Sequence, residues 1–421
     1  MQVELAYGKG RLKAGIPDYI HTEVVEPRYV KGLPDQLSAV KDALANPIHH
    51  PPLCESVRKG QKVAIVFSDI TRATPYPVIL PPLLQALGHI PDHQITFFCA
   101  TGTHRPATAE ELVTILGKEV TERFRIVQNN ASDPGQQKFV GTTTSGMRIM
   151  LNKEILDNDL RILTGFIEPH FFAGFSGGGK ALMPGMASLE TVRQNHAIRN
   201  LDHPNARWGN TSGNPLWEEV MEAAAMASPL FLLNVTLNRD KEITGVFAGE
   251  LREAHTQGCA FARETAMVTL KEAFDIVITS NSGYPLDLNI YQSVKGMSAA
   301  ERVVKKGGSI IMVAECRDGI PGGSDYEAIL RSVERVESLL GYIREHEADL
   351  QDTWQIYFQA MIQMKADVYL YSKLDPETVK SAHLEPIGEL NNLISELVEK
   401  YGPETRICVL PEGPHTIPYL T

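Results

Sequence analysis

The sequence predicts an α/β protein of two domains, with mixed or parallel sheets flanked by helices and an active site in the cleft between the domains. Apolar runs of strand length alternate with helix-length amphipathic stretches, as βαβ units require. At 421 residues the chain is too long for a single hydrophobic core. The alternation also restarts near residue 270, which divides the chain into an N-terminal domain at 1–270 and a C-terminal α/β domain at 271–421.

The first buried strand is read at 62–68 (KVAIVFS), with a helix over 77–87 behind it. A second strand at 94–100 (QITFFCA) leads to a helix at 109–116, for which Thr108 is a fitting N-cap. Shorter strands are expected at 124–127, 139–142 and 148–151, then an apolar one at 160–167. A helix after Met186 takes Ser188 as its N-cap and carries Asn195 and His196 near its far end. Runs at 231–237 and 243–247 suit adjacent strands or a hairpin, and 250–271 reads as one long helix joining the halves. The second half then repeats the pattern. Strands are expected at 275–279, 309–314, 367–371 and 406–410, with helices at 292–304, 326–340 and 389–400. Trp354, in an otherwise polar helix, reads as packing.

A formal charge of −11 argues against a nucleic-acid surface, which needs a basic stripe, and against an anionic membrane as partner. No apolar run reaches membrane-spanning length, and the first residues carry no charged-then-apolar signal pattern. Five scattered cysteines without a C-x-x-C pair read as reduced thiols, so the expected location is cytoplasmic. A homo-oligomer is left open.

Chemistry concentrates in 168–180 (EPHFFAGFSGGGK), followed by Asn195 and His196. Contiguous glycines let the backbone approach a ligand closely, and a lysine between two histidines supplies nucleophile, acid/base and metal-ligand groups. Gly174 to Lys180 fits the phosphate-loop spacing. However, Ala181 stands where that loop needs a Mg²⁺-binding hydroxyl, and Pro184 and Gly185 interrupt the helix that should follow. Three other polar clusters lie just past apolar runs, where open α/β sheets gather ligand contacts. They are Ser68 to Arg72, Thr101 to Arg105, and Tyr291 to Lys295.

Most of the 13 histidines are bystanders, and no H-E-x-x-H zinc pattern occurs. His104 and His170 differ because both follow apolar strands beside glycine-rich loops. Asp69 and Arg72 either pair in a tight turn or act together, Asp69 orienting Arg72 to grip a carboxylate with its forked donors. His196 has a plain reading as a cation at a helix C-terminus. Lys295, near a helix start, adds charge to an end that already favours anions.

Together, the Ser-Asp-x-Thr-Arg run at 68–72, Gly-Thr-His-Arg at 102–105, the block from His170 to His196, and Tyr-Gln-x-x-Lys at 291–295 resemble the nickel-pincer lactate racemase family. The resemblance implies a racemase of D- and L-2-hydroxy acids: lactate or another short aliphatic one, with malate or a larger hydroxy acid as the variant. It implies a pyridinium-3,5-bisthiocarboxylic acid mononucleotide attached to Lys180, with nickel bound by His196. His104 and His170 would act as acid and base. Asp69, Thr71, Arg72, Gln292 and Lys295 would contact cofactor or substrate, Arg72 and Lys295 serving catalysis as a cationic clamp, and Tyr291 would lie near the pyridinium ring. Separate cofactor-building and nickel-insertion proteins are implied partners.

The chemistry of the residues agrees. Hydride removal from C2 leaves a stable 2-oxo acid, whereas proton removal places a second negative charge beside the carboxylate. Two imidazoles suit proton transfer at neutral pH, and one imidazole in a square-planar set suits nickel. The competing readings are a pyridoxal phosphate enzyme using Lys180 and a nucleotide-binding module without turnover.

Overall fold

The computed structural model describes residues 1–321, 325–347 and 349–421. Its contacts divide the chain into two units, Tyr29–Thr265 on one hand and Met1–Arg28 with Ala266–Thr421 on the other. A single cut at 270 therefore does not describe the molecule. The first 28 residues pack with the C-terminal unit because His21–Val24 pairs in parallel with Arg406–Leu410.

The Tyr29–Thr265 unit is built on a six-stranded sheet. In spatial order its strands are Ile243–Gly249, Leu230–Leu237, Leu160–Phe166, Val63–Ser68, Ile95–Ala100 and Arg125–Gln128. All neighbours run parallel except the antiparallel edge pair Leu230–Leu237 and Ile243–Gly249. Val63 to Phe67 are fully buried, and an uninterrupted apolar run is what a strand covered on both faces demands. Ile65, Phe67 and Phe97 pack with Ile79 and Leu83 of the helix Tyr76–Ala86. The helix Ala109–Leu116 starts with a capping box. Thr108 Oγ1 accepts from the Glu111 amide at 3.2 Å, and the Glu111 carboxylate accepts from the Thr108 amide at 2.8 Å.

The order of the strands positions the site. From Val63–Ser68 the chain steps outward through Ile95–Ala100 to Arg125–Gln128, then returns to the opposite flank at Leu160–Phe166. Sheet order thus reverses between Val63–Ser68 and Leu160–Phe166. Ligands of open α/β sheets bind outside the carboxyl ends of the strands at such a reversal.

The other unit holds a second six-stranded sheet, entirely parallel. Its order is Glu385–Pro386, Asp367–Tyr371, Val304–Val313, Phe274–Ser280, Arg406–Leu410 and His21–Val24. The hairpin Gln2–Tyr7 with Gly10–Gly15 packs Val3, Leu5 and Ala14 against Ile276, Ile278, Ile394 and Leu397.

Two expected helices are shorter than their patterns suggest. The one at 250–271 ends as Leu251–Ala266, because Met267–Leu270, with Val and Thr at its centre, pairs in parallel with Ile417–Leu420. The one at 326–340 divides into Tyr326–Arg331 and Val336–His346, with Arg335 extended between them. Among the described residues no helix is long and apolar enough to cross a membrane.

Candidate active site

Three strand ends of the first sheet supply the polar groups. Past Val63–Ser68, Asp69 is 6% exposed and its carboxylate accepts from the Thr71 hydroxyl at 2.6 Å and the Thr71 amide at 3.1 Å. Its second oxygen lies 2.6 Å from His104 Nδ1, on the loop after Ile95–Ala100. Burial alone would raise the Asp69 carboxyl. The hydrogen bond and charge of His104, with Thr71 and Arg72, outweigh it and hold the group below the usual carboxylate range. A carboxylate at Nδ1 fixes the imidazole proton there and leaves the Nε2 lone pair for chemistry. His104 is itself half exposed.

The Asp69–Arg72 pair considered from sequence is not formed. The Asp69 carboxylate orients His104, and Arg72 joins the turn only through its amide, 3.2 Å from the Asp69 carbonyl. The Arg72 guanidinium stays within electrostatic reach of Asp69, available to an anion.

The third strand end, beyond Leu160–Phe166, carries His170 and the glycine loop. Pro169–His170 and Gly174–Phe175 form a two-residue antiparallel ladder that turns the chain back on itself. The Ala173 amide donates to His170 Nδ1 at 3.3 Å, so the neutral ring bears its proton on Nε2, opposite to His104. Gly174, Gly177 and Gly178 have φ of +79°, +76° and +58°, which side chains rarely adopt. They deliver Lys180 on a short 3₁₀ turn, Gly178–Ala181. The loop bearing His104 is tied to the same segment, since the Gly102 amide donates to the Gly185 carbonyl at 3.0 Å.

Phe172 links the cationic and imidazole groups. Its ring centroid lies 4.6 Å from His170 and 5.0 Å from His196, and Lys180 Nζ stands 5.7 Å from it. Nothing in the pattern separated Phe172 from a core residue except its place beside His170. His196 caps the helix Leu189–Asn195, whose N-cap is Ser188 as expected. Its Nδ1 lies 3.1 Å from the Val192 carbonyl. A carbonyl can only accept, so Nδ1 carries the proton and Nε2 holds a lone pair. Burial, then the Lys180 charge, pushes its pKa down to about 3, so the ring is neutral. Glu219 braces this turn. Its carboxylate accepts from Asn195 at 2.8 Å, Asn200 at 3.0 Å and Ser145 at 2.5 Å.

The other unit places Tyr291, Gln292 and Lys295 on one helix, Ile290–Glu301, after the strand Phe274–Ser280. Asn289 caps it by accepting from the Gln292 amide at 2.9 Å, and Lys295 Nζ donates to Gln292 Oε1 at 2.9 Å. The Tyr291 hydroxyl donates to Asp352 at 3.1 Å and accepts from the Trp354 indole at 3.3 Å. Burial, then the Asp352 charge, raises its pKa, so it stays a phenol. Trp354 is buried, as its packing role required.

The chemistry of the donor set fits a metal-bearing organic group. His196 is a neutral, buried imidazole that feels the Lys180 charge. Among the described residues no group of three or more His, Cys, Asp or Glu is placed to hold a metal ion.

Residues 7–209 match the family model of the lactate racemase N-terminal domain, and residues 269–417 that of the lactate racemase C-terminal domain. A lactate racemase of Lactiplantibacillus plantarum is 37% identical over 417 residues, covering 98% of both chains. Another, from Thermoanaerobacterium thermosaccharolyticum, is 35% identical over 419 residues, covering 98% of this chain and 97% of its own. A solved structure of the lactate racemase apoprotein from that organism superposes with a TM-score of 0.93 at 34% identity, covering 99% of this chain and 100% of that one. A Thermotoga maritima protein shares the fold, with a TM-score of 0.73 at 20% identity over 93% of this chain and 100% of its own.

Proposed function

This chain belongs to the lactate racemase family, and from that premise we propose that it interconverts the D and L forms of lactate or another short aliphatic 2-hydroxy acid. The observation that carries the reading is the Asp69–His104 pair, with a second imidazole, His170, beyond another strand end of the same sheet. Asp69 leaves His104 with a lone pair on Nε2, so His104 takes the substrate hydroxyl proton. His170 is assigned the proton that goes to the carbonyl oxygen of the 2-oxo acid on the other face, given from its doubly protonated imidazolium so that neutral imidazole remains, and the two rings exchange roles for the other enantiomer. Racemisation needs both directions, and each enantiomer meets one base and one acid.

Arg72 and Lys295 are assigned the substrate carboxylate, Arg72 because its forked guanidinium is free of an ion pair with Asp69. We assign Lys180 as the attachment point of a nickel-pincer nucleotide and His196 as the protein ligand to its nickel. When bound, that group supplies the acceptor for the C2 hydrogen as hydride. Asp69, Thr71, Tyr291 and Gln292 are assigned contacts to cofactor or substrate. Gly177 and Gly178 let the loop pack closely on Asn234 and His255, where a Cβ would collide, as it turns toward Lys180. Loading then depends on separate cofactor-building and nickel-insertion proteins. All five cysteines are free, in keeping with a reducing, cytoplasmic setting.

The test is to make the protein alongside those maturation proteins and measure intact mass, nickel content and racemisation of each lactate enantiomer. A mass increment that disappears in Lys180→Ala, with turnover that leaves C2 free of solvent deuterium, is the expected result. Unchanged mass in a nickel-active preparation, or deuterium entering C2 at every turnover, overturns it.

A further inference from the structure

The glycine loop rests on a side chain that no sequence pattern singled out. His255, on the helix Leu251–Ala266, is 2% exposed, and its Nε2 lies 2.8 Å from the Ser176 carbonyl. The carbonyl can only accept, so Nε2 carries the proton and donates. Nδ1 is then an acceptor, and the Cys259 thiol one helical turn on faces it at 3.2 Å. Trp217 lies against the face of the ring, with centroids 4.6 Å apart and planes 22° from parallel. Gly178 packs on its edge, where an added Cβ would stand 2.7 Å from His255 Cδ2. Burial pushes the imidazole pKa down to about 4, with the Lys180 charge adding to the fall.

An apolar side chain could fill this space and would need no partners. Instead both ring nitrogens are engaged, and one of them holds the backbone four residues before Lys180. Two residues further on, the Gly178 amide donates to Asn234 Oδ1 at 2.7 Å. The loop is therefore held by a histidine donor at Ser176 and an asparagine acceptor at Gly178, where the turn that presents the lysine begins.

We propose that His255 is a positioning residue for cofactor attachment: by fixing Ser176 and Gly178 it sets where Lys180 presents its amine. Cys259 keeps the imidazole in the tautomer that donates to Ser176, and Trp217 keeps it in plane. The inference rests on Lys180 being the attachment lysine.

Three proteins test it: wild type, His255→Leu, which keeps bulk and loses the donor, and His255→Gln, which keeps an N–H donor. The unloaded proteins are pulsed with acetic anhydride, and labelling of Lys180 is read by peptide mass spectrometry against the exposed Lys118. The same variants, matured with the cofactor-building proteins, are weighed intact to give the loaded fraction. In folded His255→Leu we expect the relative labelling rate of Lys180 to change about tenfold and the loaded fraction to fall by a similar factor, with His255→Gln recovering both. Should the Leu variant not fold, His255→Asn, too short to reach Ser176, replaces it in the comparison with His255→Gln. Wild-type labelling and loading in a folded variant without the donor overturns the inference. A wild-type protein that never gains mass on Lys180 overturns the attachment reading instead, and the labelling comparison still judges the loop.

Discussion

Lowering the pH from 7 to 5 should cost the Tyr29–Thr265 unit about 2 kcal/mol through His255 alone. In the unfolded chain this imidazole takes up a proton around its ordinary 6.5, and in the folded protein only around 4, chiefly because burial opposes the charge. Between those values the unfolded state binds more protons, so stability rises with pH. The contribution is complete above about pH 6.5 and is lost as pH falls toward 4. At pH 5 the solution is about 1.5 units below the unfolded value, and each unit is worth about 1.4 kcal/mol. The assay is urea denaturation of wild type and His255→Gln at both pH values. Carboxylates such as Asp69 titrate equally in the two proteins, so the difference of differences isolates the imidazole. Wild type should lose about 2 kcal/mol more than the variant. Parallel losses would refute the claim that a neutral, desolvated histidine lies under the loop.

Asp69→Asn replaces an acceptor that fixes the His104 tautomer with a group able to donate to Nδ1. The initial racemisation rate should fall on the order of 10²–10⁴-fold with little change in folding, and an unaltered rate would remove Asp69 from proton transfer. In His196→Ala, nickel measured per loaded protein should drop to background while the mass increment on Lys180 persists; nickel retained at the wild-type level would mean another ligand holds it. Thr108→Ala deletes half of the capping box and should lower stability by about 1 kcal/mol with the racemisation rate unchanged, a control for folding effects read in the same urea titration.

Much of this molecule could be read from local pattern. The central strand Val63–Ser68 is apolar throughout because both faces are covered, and Thr108 and Ser188 cap the helices their positions suggested. The misread elements are those decided by distant partners. Met267–Leu270 continues a helical pattern until Ile417–Leu420, at the far end of the chain, takes it as a strand. In the site, Asp69 and His104 both stand out in sequence, yet their bond spans 35 positions and no spacing rule links them. Arg72, three residues away, was the nearer and wrong partner for Asp69. Phe172 and His255 look like core residues in sequence, and only the folded loop shows which groups they touch.

The partition of the chain has a consequence for how the protein is made. Tyr29–Thr265 is one unbroken stretch and can fold while the ribosome is still adding later residues. Met1–Arg28 emerges first yet finds its neighbours last, since Val3 and Leu5 need Ile276, Ile278 and Ile394, and His21–Val24 needs the strand Arg406–Leu410. The leading hairpin therefore waits through the synthesis of the whole Tyr29–Thr265 stretch before its apolar face can be covered. Fusion partners or truncations at the start of the chain will be felt in the C-terminal half, and it is nascent-chain length, more than local stability, that times the closing of the second sheet.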